Sequence, residues 1–172
     1  MKVVSRKFFL SLGFFLIFSV NQIAEAGAAM KLSSPSFKDY QMIPKKFTCQ
    51  DEDINPEFII DGVSKDTQSL ALIVDDPDAP MGTWVHWVVY NMAVTSKIEE
   101  NSIPGKEGIN SFHRKHYGGP CPPSGTHRYF FKIYALDTAL AFNRSVDKKS
   151  LEKAMSGHIL DQTELVGLYK KE

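Results

Sequence analysis

Arg128-Tyr129-Phe130-Phe131-Lys132-Ile133-Tyr134-Ala135-Leu136 is the stretch on which the fold turns. Side chains of an extended chain alternate, so Tyr129, Phe131, Ile133 and Ala135 share one face, with Phe130, Lys132, Tyr134 and Leu136 on the other. Both sets are largely apolar, and the run predicts a strand covered on both sides. Outward from it, residues 57–60, 69–74 and 85–92 are further apolar, β-branched runs bounded by Pro, Gly, Asn and Asp, and 164–168 predicts a last strand. One helix is expected over 148–156: Asp147 caps its start, Leu151, Ala154 and Met155 stand at i, i+3 and i+4, and Gly157 stops it. Short strands with one or two short helices predict a mainly β domain, a β-sandwich or a relative of one, without internal repeats.

The chain has 172 residues with 20 basic and 20 acidic side chains, and its first 26 hold Lys2, Arg6 and Lys7 against Glu25. Residues 8–20 form an apolar run behind those bases, and Ala24-Glu25-Ala26 follows where a signal peptidase would cut. As a helix the run would span only about 20 Å, too short for a hydrocarbon core of ~30 Å. A signal cleaved at Ala26 and a mature domain over 27–172 are therefore expected. The product is exported, to a periplasm or beyond, without stable membrane insertion. An uncleaved anchor is the weaker alternative, because the flank after Val20 is small and polar. The mature part carries 17 bases against 19 acids, interspersed, which argues against nucleic-acid binding. Its size permits an independent core.

Export changes the reading of Cys49 and Cys121, because thiols oxidise outside the cytosol. Two isolated cysteines make a poor zinc site. They either pair, closing a loop of more than 70 residues worth about 4 kcal/mol in chain entropy, or stay as two buried thiols. Export favours the pair.

Two irregular stretches are rich in residues that stiffen the backbone: Asp75-Asp76-Pro77-Asp78-Ala79-Pro80-Met81-Gly82, and Tyr117-Gly118-Gly119-Pro120-Cys121-Pro122-Pro123-Ser124-Gly125. Rigid loops at strand ends commonly carry sites. The first offers Asp76 and Asp78 and leads into a strand on which Trp84 and His86 share a face. The second leads into His127 and Tyr129, which share another. Together they would line a pocket with two carboxylates, two imidazoles, a phenol and an indole, plus backbone N–H groups of Gly118, Gly119 and Gly125. Taken singly, an Asp before Pro caps its own turn, and a lone His or aromatic in a strand is structural. The coincidence of both loops favours a site. His113, His116 and His158 lack such company and read as surface or satisfied core.

Asp76-Pro77-Asp78-Ala79-Pro80, Trp84, His86-Trp87 and the run from Gly118 to Tyr129 resemble the phosphatidylethanolamine-binding protein family, and within it the bacterial Raf-kinase-inhibitor-like branch. The likeness extends over residues 30–172, through Phe47-Thr48-Cys49, Asp53, Asn55-Pro56 and Tyr134-Ala135-Leu136-Asp137. It implies a β-sandwich of antiparallel sheets with a small pocket at one end for phosphate-like head groups. Carried over by position, that pocket comprises Asp76, Asp78, Trp84, His86, Gly119, Pro123, His127 and Tyr129. Two carboxylates repel a bound anion unless a histidine is protonated, a carboxyl is neutral or a proton is shared; alternatively they meet the ammonium of a zwitterionic head group.

The leading expectation is an exported, non-enzymatic binding protein for a small anionic or phosphorylated ligand, regulating or inhibiting another protein. A surface-acting protease or kinase inhibitor is the alternative. A hydrolase built on an Asp-His pair ranks below both, since no Gly-x-Ser-x-Gly elbow is present. Neither a cofactor motif nor metal-ligand spacing such as HExxH occurs, so no catalytic residue, cofactor or metal is expected.

Overall fold

The computed structural model describes residues 29–172, so the expected signal and its cut at Ala26 lie outside the described residues. In chain order the elements are β1 (Lys31–Ser33), β2 (Gln41–Met42), a 3-10 turn (Lys45–Phe47), β3 (Phe58–Asp61), β4 (Ser69–Asp76), β5 (Trp84–Met92), β6 (Lys97–Ile98), β7 (Lys106–Glu107), β8 (Thr126–Leu136), α1 (Lys148–Met155) and β9 (Ile159–Lys170). A small sheet runs β1-β3-β6 and a large one β2-β9-β8-β4-β5-β7. The expected mainly β fold of two sheets is what forms. All pairings between named strands are antiparallel except one, in which Gln41 and Met42 lie parallel beside Gly167 and Leu168.

β4 is buried along all eight of its residues. On one side Leu70, Leu72 and Val74 join Phe58 and Ile60 of the small sheet. On the other, Ala71 and Ile73 join Leu151 and Met155 of α1. The large sheet is thus covered by a sheet on one face and by the helix on the other. β8 departs from its expected double coverage. Tyr129, Phe131, Ile133 and Ala135 are fully buried, whereas Phe130, Lys132 and Tyr134 are only half-buried. Lys132 tolerates this because its ammonium reaches the carboxylate of Asp75 at 2.8 Å.

β9 is longer than the apolar run 164–168 suggested. Its first half is mostly exposed, yet β9 pairs with β8 from Leu136 to Thr126, and satisfying backbone groups extends the strand where side-chain pattern does not. β1, β2, β6 and β7 are too short to leave a periodic signal. The helix starts as expected: Asp147 Oδ1 accepts the Ser150 N–H at 2.8 Å and Ser150 Oγ accepts the Asp147 N–H at 2.9 Å, a reciprocal cap. Cys49 and Cys121 form a disulfide across a sequence separation of 72 with Cα atoms 5.5 Å apart, tying the Lys45–Phe47 turn to the second stiff loop. Among the described residues no helix is long and apolar enough to cross a membrane.

The parallel pairing of β2 depends on Gly167, where an added Cβ would lie 2.4 Å from Ile43 Cγ1 and 2.9 Å from Phe37 Cε2. Gly167→Ala is expected to cost about 1–3 kcal/mol by overpacking, read as a lower urea midpoint at unchanged slope. Replacing Cys49 and Cys121 together by serine should remove about 4 kcal/mol, a fall in Tm of roughly 10 °C, with no further fall on adding reductant.

Candidate functional site

The site grows from a defect in the pairing of β4 with β5. Val74 pairs with Trp87, but its neighbour Asp75 pairs with Val85, so His86 is an extra residue on β5. A bulge of this kind re-aims side chains. Strict alternation would put His86 and Trp87 on opposite faces. Instead Trp87 enters the core between the sheets, edge-on to Tyr117 at 5.6 Å, with Nε1–H donating to Glu107 at 2.8 Å. His86 also turns inward, edge-on to Tyr129 at 5.2 Å and to Phe112 at 5.5 Å.

His86 is 3% exposed. Its Nδ1 lies 2.6 Å from the Gly118 carbonyl oxygen, which can only accept, so Nδ1 carries the proton. Burial pushes its pKa below 6.5, and the ring is neutral at pH 7. Nε2 then carries the lone pair, and the backbone of Gly118 and Gly119 partly offsets the effect of burial on the ring.

Asp76 continues the inner row of Leu70, Leu72 and Val74. Its Oδ2 lies 2.7 Å from His127 Nδ1, with both side chains buried. Its Oδ1 accepts the Asp78 N–H at 2.8 Å, which closes the first loop into a turn. Asp78 is committed elsewhere: it accepts from Arg128 Nε at 2.9 Å, Nη2 at 2.7 Å and the backbone N–H at 3.0 Å. That guanidinium holds its pKa down to about 2. Neither carboxylate is bare, which eases the repulsion that two acids would impose on an anion.

Tyr129 is fully buried, and burial, with the nearby Asp76 carboxylate, drives its pKa upward. Its hydroxyl has no hydrogen-bond partner. Buried polar groups are nearly always paired, and this one stands against His86.

Other expected residues take different places. The Gly119 N–H donates to Asp53 Oδ1 at 2.6 Å and the Gly118 N–H to the His86 carbonyl at 3.1 Å, so two of the three backbone groups expected to face a ligand are used inside the fold. A Cβ on Gly119 would lie 2.4 Å from the Phe47 carbonyl oxygen and 2.8 Å from Thr48 Cα, which makes this glycine a packing requirement. Pro123 and Gly125 are exposed on the second loop. Trp84 is partly exposed, edge-on to Phe112 at 5.3 Å. His113, His116 and His158 are exposed, as their surface reading anticipated; His158 faces Asp137 at 2.8 Å.

Three contributors escaped the sequence reading. Arg128 falls on the outward face of its strand, with no local hint that it would clasp Asp78. Phe112, in a stretch without periodicity, joins Trp84 to His86. Asn110 is a buried hub: its Nδ2 donates to the carbonyls of His86 and His116, and its Oδ1 accepts the N–H groups of Phe112 and Arg114. Arg128 and Asp53 left a trace only as parts of the resemblance. Surface clefts of about 410 and 660 Å³ run beside α1, but neither includes an unpaired buried polar atom. Among the described residues no three His, Cys, Asp or Glu side chains are grouped to hold a metal.

Known proteins resemble the chain as a whole. A family profile described as phosphatidylethanolamine-binding protein matches residues 33–170. The UPF0098 protein PH1269 of Pyrococcus horikoshii is 45% identical over 160 residues, 86% of this chain and 80% of its own. A UPF0098 protein of Aquifex aeolicus is 43% identical over 167 residues, 91% of this chain and 98% of its own. The crystal structure of CT736 from Chlamydia trachomatis, described as a homolog of phosphatidylethanolamine-binding protein, superposes with a TM-score of 0.81 at 42% identity, covering 84% of this chain and 99% of that one. E. coli YbcL, described as a member of the mammalian family, shares the fold with a TM-score of 0.77 at 24% identity, over 84% of this chain and 100% of that one. With the profile spanning most of its length and relatives above 40% identity, the chain belongs to the phosphatidylethanolamine-binding protein family.

Proposed function

We propose that this protein is an exported, non-enzymatic binding protein whose pocket between the two stiff loops takes a phosphate-type group, and that occupancy of the pocket regulates another protein. The observation that carries this reading is the buried, unpaired hydroxyl of Tyr129, whose ring stands edge-on to that of His86 at 5.2 Å. A phosphoryl group engages both residues: an oxygen accepts from the phenol, and a P–OH donates to Nε2, or Nε2 takes a proton and becomes a donor. The Asp76–His127 pair and the Trp84–Phe112 wall border the same space. The pocket comprises Asp76, Trp84, His86, His127 and Tyr129, with Asp78 shaping it through Arg128 and the second loop, including Gly119 and Pro123, framing it.

Catalysis fits the same groups poorly. Cys121 is in a disulfide and offers no thiolate. No serine or threonine hydroxyl among the described residues hydrogen-bonds to His86 or His127. Export is supported by the disulfide, which persists in oxidising compartments, and by the signal-like pattern over 1–26.

Calorimetric titration with phosphate, phosphoethanolamine and a mononucleotide, on the wild type and on Tyr129→Phe, tests this. Tyr129→Phe removes only the unpaired hydroxyl. It should leave stability equal or higher by about 1–3 kcal/mol, while weakening ligand binding roughly tenfold or more. Wild-type silence toward all three ligands, or undiminished binding by Tyr129→Phe, would sink the pocket.

Affinity should also depend on pH. His86 has its pKa depressed in the free protein, and a bound anion raises it. A group whose bound-state pKa exceeds its free-state value takes up a proton on binding, so affinity rises as pH falls from 8 toward 6. Equal affinity at the two pH values would show that no imidazole is protonated with the ligand.

A further inference from the structure

On the helix side of the large sheet lies a cleft that the proposed pocket does not use. Its volume is about 660 Å³; Phe142 and Ala154 floor it, and Arg144, Lys149 and Lys153 rim it. The Phe142 ring packs edge-on against Tyr90 of β5 at 5.1 Å, which fixes the floor to the sheet. Tyr90 stands six residues beyond Trp84 on that strand, so about 20 Å separates this floor from the aromatic wall of the pocket. Arg144, Lys149 and Lys153 are exposed, and among the described residues none has a carboxylate within ion-pair distance. Lys149 and Lys153 are four apart on α1, where like charges repel about as much as opposite ones attract. The acid lining the cleft, Asp147, is spent on the helix cap, accepting the Ser150 N–H at 2.8 Å and its hydroxyl at 2.6 Å. Three cations thus converge without a counter-charge on a domain whose acids outnumber its bases. A partner of opposite sign accounts for a charge concentration kept against its own repulsion.

Shape narrows what that partner is. A second cleft, of about 410 Å³, shares Asp147 and Lys149 with the first and continues past Ile109 to His113. Glu152 on this second cleft faces Lys148 at 3.7 Å and leaves Lys149 alone. The two adjoining clefts make an open trough around the start of α1, longer than one small anion fills. An aromatic floor under a cationic rim fits an extended polypeptide with an apolar side chain between carboxylates. We infer that this trough is a docking site for an acidic, extended segment of a partner protein, its apolar side chain on Phe142 and its carboxylates on Arg144, Lys149 and Lys153. Nothing in this surface requires the pocket to be occupied.

Fluorescence anisotropy of the purified protein would be followed with three labelled peptides: Asp-Glu-Asp-Phe-Glu-Asp-Glu, a copy with glycine for phenylalanine, and one with every acid replaced by lysine. Expected are saturable binding of the first, weaker binding of the second and none of the third. Binding should be lost at 1 M salt, where the screening length falls to about 3 Å. Each exposed ion pair is worth up to about fivefold, so Lys149→Gln with Lys153→Gln should weaken the first peptide roughly 5- to 25-fold at unchanged Tm. Phe142→Ala should abolish the preference for the first peptide over the second; if that variant unfolds, the two peptides read the same contact on the wild type. Tyr129→Phe should bind the peptides as the wild type does. No binding, binding indifferent to peptide charge, or binding undiminished by the lysine changes would overturn the site. So would displacement by phosphate with loss in Tyr129→Phe, which would put the peptide in the pocket, or tight binding of polyphosphate with the peptides silent. Self-association in sedimentation, abolished by the lysine changes, would replace the partner by the exposed Asp51-Glu52 turn of a second copy. Peptide binding by a protein that binds no phosphate would remove the pocket and leave this site.

Discussion

Two consecutive buried carboxylates at the end of β4 constrain the rest of the molecule. Asp75 and Asp76 point to opposite faces of a strand that water does not reach, with exposures of 1% and 3%. A buried charge is costly unless it is paired and hydrogen-bonded. Asp75 receives the ammonium groups of Lys132 at 2.8 Å and Lys148 at 2.5 Å, which fastens β8 and the first turn of α1 to β4. Asp76 receives His127, which fastens the start of β8 to the first loop. One step along the backbone thus separates a structural clamp from the candidate site, and the clamp on the helix side helps hold the carboxylate on the site side.

The bulge at His86 belongs to the same junction. It falls where Asp75 pairs with Val85, and it lets β5 supply both a core tryptophan and a site histidine to one face. The second loop is then locked against it from several directions: the Gly118 carbonyl by the His86 ring, the Gly118 N–H by the His86 carbonyl, the Gly119 N–H by Asp53, and Cys121 by the disulfide. Rigidity of this kind lowers the ordering cost of binding a small ligand.

Tyr129 and His86 are kept at a cost to stability. A fully buried phenol without a partner and an imidazole held neutral by burial both cost folding free energy. The surrounding core of Phe58, Phe131, Trp87 and Ile133 is large enough to carry that cost. Strained or unsatisfied groups kept by a well-packed fold are commonly functional.

The alternating run 128–136, the apolar run that became β4, the cap at Asp147 and the stiff loops were all legible in the sequence, because each is a local pattern of side-chain period, proline, glycine or hydrogen-bonding residue. The candidate residues could also be named there, through loop composition and family likeness. What the linear order could not show was which of them converge. The bulge that turns His86 inward, the Arg128 clasp that takes Asp78, the Asn110 hub and the use of the Gly119 N–H by Asp53 arise from pairing between segments far apart in the chain. Short edge strands and the exposed half of β9 were equally hidden, since backbone pairing holds them. Local chemistry therefore determined the fold class and the candidate residues, while the register between distant strands decided which of those side chains converge, because a one-residue shift in pairing reverses the face on which a side chain lies.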